Sequence, residues 1–256
     1  MSPVLLILII NYIELLIMYL DFIKTPFNNN PSMQKYSGSL ISKTPRRSYL
    51  EQKINQVALY GSDLYGETEL FQRLNLLEKV EEKLKINKNN SLKELSFQIE
   101  EDIAVMHKGK LEGISFVFPS GWIPSKALGR DFSFLHKPVA DNELLMKSSD
   151  KLTKYMCKNT IQRWVWNVTT IKALSNHPEV TRPEVISFEN LFFRLETQIS
   201  TPLDTNTSLF LVLVEVYPLS EVWEPTILDS INSMSESILS YKKLTDIKKY
   251  LNSLKF

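Results

Sequence analysis

Few residues of this chain are equipped for chemistry, and their positions narrow what that chemistry could be. The three histidines, His107, His136 and His177, are the neutral side chains best suited to ligate a metal ion. His107 sits beside Lys108-Gly109 and is expected to be an exposed turn residue; His177 precedes Pro178 in a polar loop and is expected to be solvated. His136 stands among Phe132, Phe134 and Leu135 just before Pro138-Val139, where a helix end could aim it inward. On its own residues it reads first as a structural hydrogen-bonding histidine. Arg194 and Glu196 alternate in an apolar run with Phe192, Phe193 and Leu195, so on a strand both would point to one face. As a surface ion pair they would contribute about 0–1 kcal/mol; half-buried, they could serve a charged ligand. Cys157, the single cysteine, excludes an intrachain disulfide and any all-cysteine iron–sulfur or zinc site. Its polar, helix-like surroundings in 151–160 make thiolate ligation of a metal a poor expectation. The seven glycines never fall into G-x-G-x-x-G or G-x-x-x-x-G-K-[ST] spacing, so no standard dinucleotide loop or P-loop is present.

The elements that would position these residues follow from hydrophobic period. Residues 67–84 carry Leu70, Leu74, Leu77, Val80 and Leu84 at helical spacing, which predicts one amphipathic helix. Ser91 with Glu94 at capping-box distance begins a short second helix. The period then changes: residues 103–118 flank Lys108-Gly109-Lys110 as a β-hairpin, and 161–171 and 188–198 read as strands. Residues 209–217 are nearly continuous in apolar side chains and predict a central strand buried on both sides. Pro225 opens a last helix bearing Ile227, Leu228, Ile231, Met234, Ile238 and Leu239. Helices first, strands in the middle and a helix last indicate an α+β fold.

The bulk numbers set the outer limits. Of 256 residues, 43% are hydrophobic and 11% aromatic, enough for a real core. The net charge of +1 gives no global pull toward nucleic acid or an anionic membrane. Residues 1–21 form an apolar segment, but Glu14 near its middle would cost roughly 2.5–3.5 kcal/mol in a bilayer. It lacks the basic start and small-residue end of a signal peptide, so a start-site extension ahead of Met18 is the expectation, with a membrane anchor or a docked helix as the alternatives, and the chain is expected to be cytoplasmic. Residues 22–98 are expected to be mainly helical, with the core domain at 99–256.

Residues 99–244 carry a set of motifs in order. Glu101-Asp102 is followed by Phe118-Pro119-Ser120-Gly121-Trp122; Leu128-Gly129 by Leu135-His136-Lys137-Pro138-Val139. Then come Arg163 with Trp166, the run Phe193-Arg194-Leu195-Glu196-Thr197-Gln198, a strand ending in Tyr217, and a late Tyr241-Lys242. In order and spacing this resembles the haem-binding α-subunit family of the oxidative N-demethylases. The resemblance implies a PAS-like antiparallel sheet with flanking helices, holding haem b. It implies an oxidoreductase, a monooxygenase that oxidises a small methylated amine with dioxygen and releases formaldehyde. Separate flavin and iron–sulfur reductase subunits would deliver electrons from a reduced nicotinamide, since no flavin, nicotinamide or iron–sulfur site is expected in this chain.

Carried onto matching positions, the resemblance makes His136 the axial ligand of the haem iron, Arg194 a contact for a haem propionate, and Trp122 a wall of the pocket. Glu196 would receive the cationic amine. Trp164 and Trp166 could also flank a haem, although aromatics in such number are usually core. The chain departs from the family pattern at Val165 for Asn, Thr197 for Arg, Ile199 for Thr and Glu215 for Arg. These changes support a rival reading, a non-catalytic PAS-like haem or ligand binder acting as a sensor. Glu215, if buried, must meet a cation, and Arg194, Arg163 or a cationic ligand are the expected partners.

Overall fold

The computed structural model describes residues 20–30 and 32–254. The expectations for the apolar N-terminal segment, Leu20 and Asp21 apart, therefore lie outside the described residues. Seven strands form one antiparallel sheet: β1 Gln34–Lys35, β2 Tyr65–Glu67, β3 Asp102–His107, β4 Lys110–Ser115, β5 Ile161–Thr169, β6 Phe192–Asp204 and β7 Thr207–Pro218. Their spatial order is β1-β5-β6-β7-β3-β4-β2. The helices are α1 Arg47–Tyr60, α2 Glu69–Arg73, α3 Leu76–Leu84, α4 Leu92–Ser96, α5 Phe132–His136 and α6 Glu143–Met156, then α7 Leu219–Val222, α8 Pro225–Asn232, α9 Glu236–Lys242 and α10 Thr245–Ser253. The architecture is α+β. Among the described residues no helix is long and apolar enough to cross a membrane.

Pairing registers sort the side chains onto two faces. On one face Trp166, Val168, Phe193 and Leu195 pack against Ile227, Ile231, Leu239 and Leu251 of the C-terminal helices. Farther along that face, Ile103, Val105, Ile199, Leu209 and Leu211 pack against Phe71, Val80, Leu84 and Leu95 of α2–α4. Helices thus cover this face along its length. The opposite face carries Ala104, Met106, Ile114 and Ile161, which meet Met156, Trp122, Phe132 and Leu135 from the long excursion between β4 and β5. Residues 209–217 lie in β7, flanked by β6 throughout but by β3 only as far as Val212, so the expected burial on both sides holds for the first part of the run and Glu215 to Tyr217 are half-buried. The β3–β4 hairpin turns where expected, with positive φ at Lys108 (48°) and Gly109 (77°).

Two predicted helices are broken. The 67–84 stretch starts as strand β2 and is then split by Asn75, whose φ of 48° ends α2 and begins α3. At Gly66 the Leu128 side chain packs directly over β2: a Cβ there would lie 2.4 Å from Leu128 Cδ1, so a larger residue would make that side chain turn aside. The C-terminal helix is likewise interrupted, and Ser235 restarts it by accepting from the Ile238 amide. Both breaks leave the apolar stripes buried. Ser91 caps α4 by accepting from Glu94 N, whereas the Glu94 carboxylate turns to Asn90 instead of closing the box.

Candidate functional site

β6 is the strand that brings the charged residues together. Arg194 pairs with Asn167 and Val216, and Glu196 with Val165 and Val214, so both side chains leave the sheet on the same face. Their expected juxtaposition holds: Arg194 Nε lies 3.6 Å from Glu196 Oε1. Arg194 is buried, and its guanidinium is engaged by protein acceptors: Ser120 Oγ at 3.1 Å from Nε, Phe118 O at 2.9 Å from Nη2, and Leu174 O from Nη1. Glu196 accepts from the Ser120 hydroxyl through Oε1 and from Gln198 Nε2 at 2.9 Å through Oε2. This is a clamp on the Phe118-Pro119-Ser120 segment, built from β6.

The same segment is held from its other side. Asp102 Oδ2 accepts from Phe118 N at 2.8 Å, and its Oδ1 lies 3.4 Å from Nζ of the fully buried Lys53 on α1. Lys53 also donates to Glu101 O at 2.6 Å. Burial pushes Asp102 up and Lys53 down from their ordinary values, while their mutual attraction opposes both shifts. Glu101-Asp102 and the Phe-Pro-Ser run, distant in sequence, are therefore parts of one fastening. Trp122, just beyond it, packs edge-on against Phe116 at 5.6 Å and faces the cluster that also receives Phe132 and Leu135 of α5.

α5 starts at Asp131, whose carboxylate accepts from Phe134 N, and ends at His136. The His136 ring stacks on Phe132 at 4.0 Å, and its Nδ1 lies 2.8 Å from Phe132 O. A carbonyl can only accept, so Nδ1 carries the proton and Nε2 carries the lone pair. Burial lowers the pKa of His136, a backbone hydrogen bond to Phe132 opposes this, and the nearby charge of Arg163 lowers it further. The imidazole is thus kept neutral and oriented, with Nε2 making no hydrogen bond among the described residues.

Arg163, on β5, connects the two groups, because its charge acts on both His136 and Glu196. Its Nε is buried without a hydrogen-bond partner, and no carboxylate lies within 4.0 Å of it among the described residues. Lys242 at the end of α9 also feels Glu196 and Arg163 and donates to Trp166 O at 2.8 Å. Burial brings its pKa down to about 8. Glu196 therefore has three cations about it, Arg163, Arg194 and Lys242. The motifs held Ser120, Arg163 and Lys242 in plain view. Their shared role needed the β5–β6 register, which no sequence pattern gives.

Other expectations need correcting. His177 is buried, not solvated: it stacks on Tyr60 at 3.9 Å, with Nε2 3.6 Å from Asp63 Oδ2. His107 is the last residue of β3, half-buried, with Nδ1 2.9 Å from Thr207 Oγ1. Glu215 pairs with Leu195 and so leaves the face opposite Glu196. Its cation is Arg46 at 3.8 Å, a residue already bound to Glu100, and neither Arg163 nor Arg194. Cys157 is half-buried, and burial with the Asp204 charge pushes its thiol up, away from thiolate chemistry.

The fold and these side chains define an α+β protein in which a helix laid against the sheet ends in a neutral, oriented imidazole, and in which the β5–β6 edge gathers more cations than carboxylates. Residues 63–252 match the haem-dependent oxidative N-demethylase, alpha subunit-like family, and the chain belongs to it. The matched span contains every motif from Glu101 to Lys242. No curated protein matches the chain. The residues present fit a haem on their own chemistry. A neutral histidine with Nδ1 bound to a backbone carbonyl and Nε2 open is the donor that haem iron takes, and the charge of Arg163, whose Nε is buried without a partner, reaches it.

Proposed function

We propose that this chain is a haem-binding subunit with a PAS-like core that oxidatively demethylates a small amine, using electrons from separate reductase subunits. The observation that carries this reading is His136, kept neutral by burial and oriented by Phe132 O, with Nε2 free to ligate iron. Haem, when bound, would supply the activation of dioxygen needed to hydroxylate an N-methyl carbon, which leads to formaldehyde and the demethylated amine. Phe132 fixes the rotation of the His136 ring by stacking and by its carbonyl. Trp122 walls the same side of the sheet. Glu196, anchored by Ser120 and Gln198, presents negative charge toward the position of a cationic amine.

One observation favours the second reading, a non-catalytic haem or ligand binder. Both Glu196 oxygens already accept from protein donors, so an amine would have to share or displace them. Two measurements separate the readings. Haem-loaded protein should show a Soret band that His136→Ala abolishes or shifts strongly. His107→Ala should leave it in place, and His177→Ala should cost stability but keep it. With dioxygen, a reductant and a methylated amine, formaldehyde release then supports the demethylase. A normal Soret band with no formaldehyde from any methylated amine, under turnover with the reductase subunits, supports the binder.

A further inference from the structure

β1 pairs with β5 at Gln162 and Ile161, and among the described residues no strand pairs with the outer side of β5 from Arg163 onward. A cleft of about 400 Å³ lies along this side, roofed by residues 21–30 with Ser32 and Gln34. Its charged lining is Asp21, Lys24, Arg163 and Lys242, and Phe22 and Trp166 supply apolar wall. Asp21 and Lys24 are exposed at the surface, and Lys24 Nζ is engaged by Asp21 O at 2.6 Å. Arg163 differs from them. Its Nε is buried with no partner, and among the described residues its guanidinium makes no hydrogen bond or ion pair. A buried donor left unpaired is costly, and an anion that enters the cleft to accept from Nε and from the outer nitrogens of this half-buried side chain removes the cost.

Glu196 does not supply that anion. It attracts Arg163 and Lys242 from a distance, but its oxygens are bound to Ser120 and Gln198, and the cation within 4.0 Å of it is Arg194. Arg194, for its part, is satisfied by Phe118 O, Leu174 O and Ser120. Lys242 is held by one carbonyl and sits 5.5 and 5.8 Å from the Phe27 and Trp166 ring centres. Two cations thus line the cleft without a carboxylate of their own.

We propose that this cleft is a carboxylate-binding site in which Arg163 is the anchor and Lys242 the second cation. A planar guanidinium matches a carboxylate in two-pronged geometry, and the apolar wall suits an acid carried on a hydrocarbon frame. Two sources share that chemistry: a propionate of haem or a free small carboxylic acid. The haem version rests on the function proposed above, since the charge of Arg163 reaches His136. The free-acid version does not.

The test uses the full chain freed of haem. Absorbance titration compares haem with its dimethyl ester, which keeps the ring and iron but blocks both carboxylates. Thermal denaturation compares sodium propionate with sodium chloride at equal ionic strength. If a haem propionate occupies the cleft, the wild type prefers haem to the ester by about tenfold or more. Arg163→Gln then removes that preference without moving the Soret band, and Arg163→Lys keeps part of it. If a free acid is the ligand, haem and ester bind alike, while propionate stabilises the wild type and fails to stabilise Arg163→Gln. Lys242→Gln should weaken whichever response is seen, and it serves if Arg163→Gln does not fold. A propionate response that depends on Arg163, with no haem uptake at all, keeps the cleft and defeats the haem reading. A preference or stabilisation unchanged by the Arg163 and Lys242 substitutions, or absent from the wild type in both assays, overturns the proposal.

Discussion

Arg194 shows how one residue type in one place can look functional and yet be spent on structure. In sequence it alternates with Glu196 like a ligand-facing pair, and its guanidinium does meet that carboxylate. Three of its N–H groups also go to Ser120, Phe118 O and Leu174 O, which join β6 to two separate loops. Arginine suits this because its donors are fixed in a plane and remain charged when buried. Arg194→Met keeps most of the volume but leaves Glu196 without its nearest cation and two carbonyls without a donor. The expected loss is about 3–5 kcal/mol, the usual cost of breaking a buried pair from one side. Urea denaturation of the haem-free chain measures it. A loss below about 1 kcal/mol would mean that water replaces the guanidinium and that the clamp is not structural. Arg163 is the contrasting residue, equally cationic but without a hydrogen-bond or ion-pair partner among the described residues, and that difference points a ligand to β5.

Elements were legible where their pattern was local. The β3–β4 hairpin follows from Lys108-Gly109 between apolar runs, and β7 from its continuous Leu and Val. The helix breaks were not legible, because Leu74 and Leu77 keep the helical spacing across Asn75 while the chain turns through a left-handed residue. His136, Arg163 and Glu196 were each visible, but their union depends on strand register and on the path from β4 to β5, set by packing between segments far apart in sequence. α3 illustrates such docking. Its Lys79 reaches Asp204 at the end of β6 with Nζ–Oδ2 of 2.6 Å. Partial burial would raise the Asp204 pKa, but Lys79 and the Asn206 amide outweigh it and bring it down to about 2. A carboxylate depressed in the folded state stabilises above its ordinary value of 3.8 and loses that contribution as pH falls toward 2. Because the pair is partly exposed, Asp204→Asn should cost only about 0.5–1 kcal/mol near neutrality. The gap between variant and wild type should close on acidification through that window. A gap that persists unchanged at the acid end would show that packing, and not charge, docks α3.

At the scale of the whole molecule, helix α1 is coupled to the candidate site through a chain of buried contacts. α1 lies ahead of every central strand in sequence, yet it sends Lys53 into the interior, where no surface of the side chain remains. From there the contacts run in series. Lys53 meets Glu101 O and Asp102, Asp102 holds Phe118 N, Arg194 holds Phe118 O, and Ser120 hands its hydroxyl proton toward Glu196. Tyr49 adds a second tie from α1, donating to Val214 O at 2.8 Å beyond the point where β3 stops pairing with β7. If this series positions the site, Lys53→Met should be damaging, because it strands a buried carboxylate; the expected cost is about 3–5 kcal/mol. Pairing it with Asp102→Asn removes the stranded charge while leaving an oxygen for Phe118 N. The double variant should therefore recover much of the loss, a coupling that independent sites would not show. Trp122 fluorescence gives the positional readout, since Trp122 follows the tethered segment directly. In Lys53→Met it should shift toward the solvated value well below the unfolding transition, and in the double variant it should return toward wild type. Additive stability losses, with Trp122 unmoved in both variants, would show that Lys53 merely fills space and that α1 is not coupled to the site.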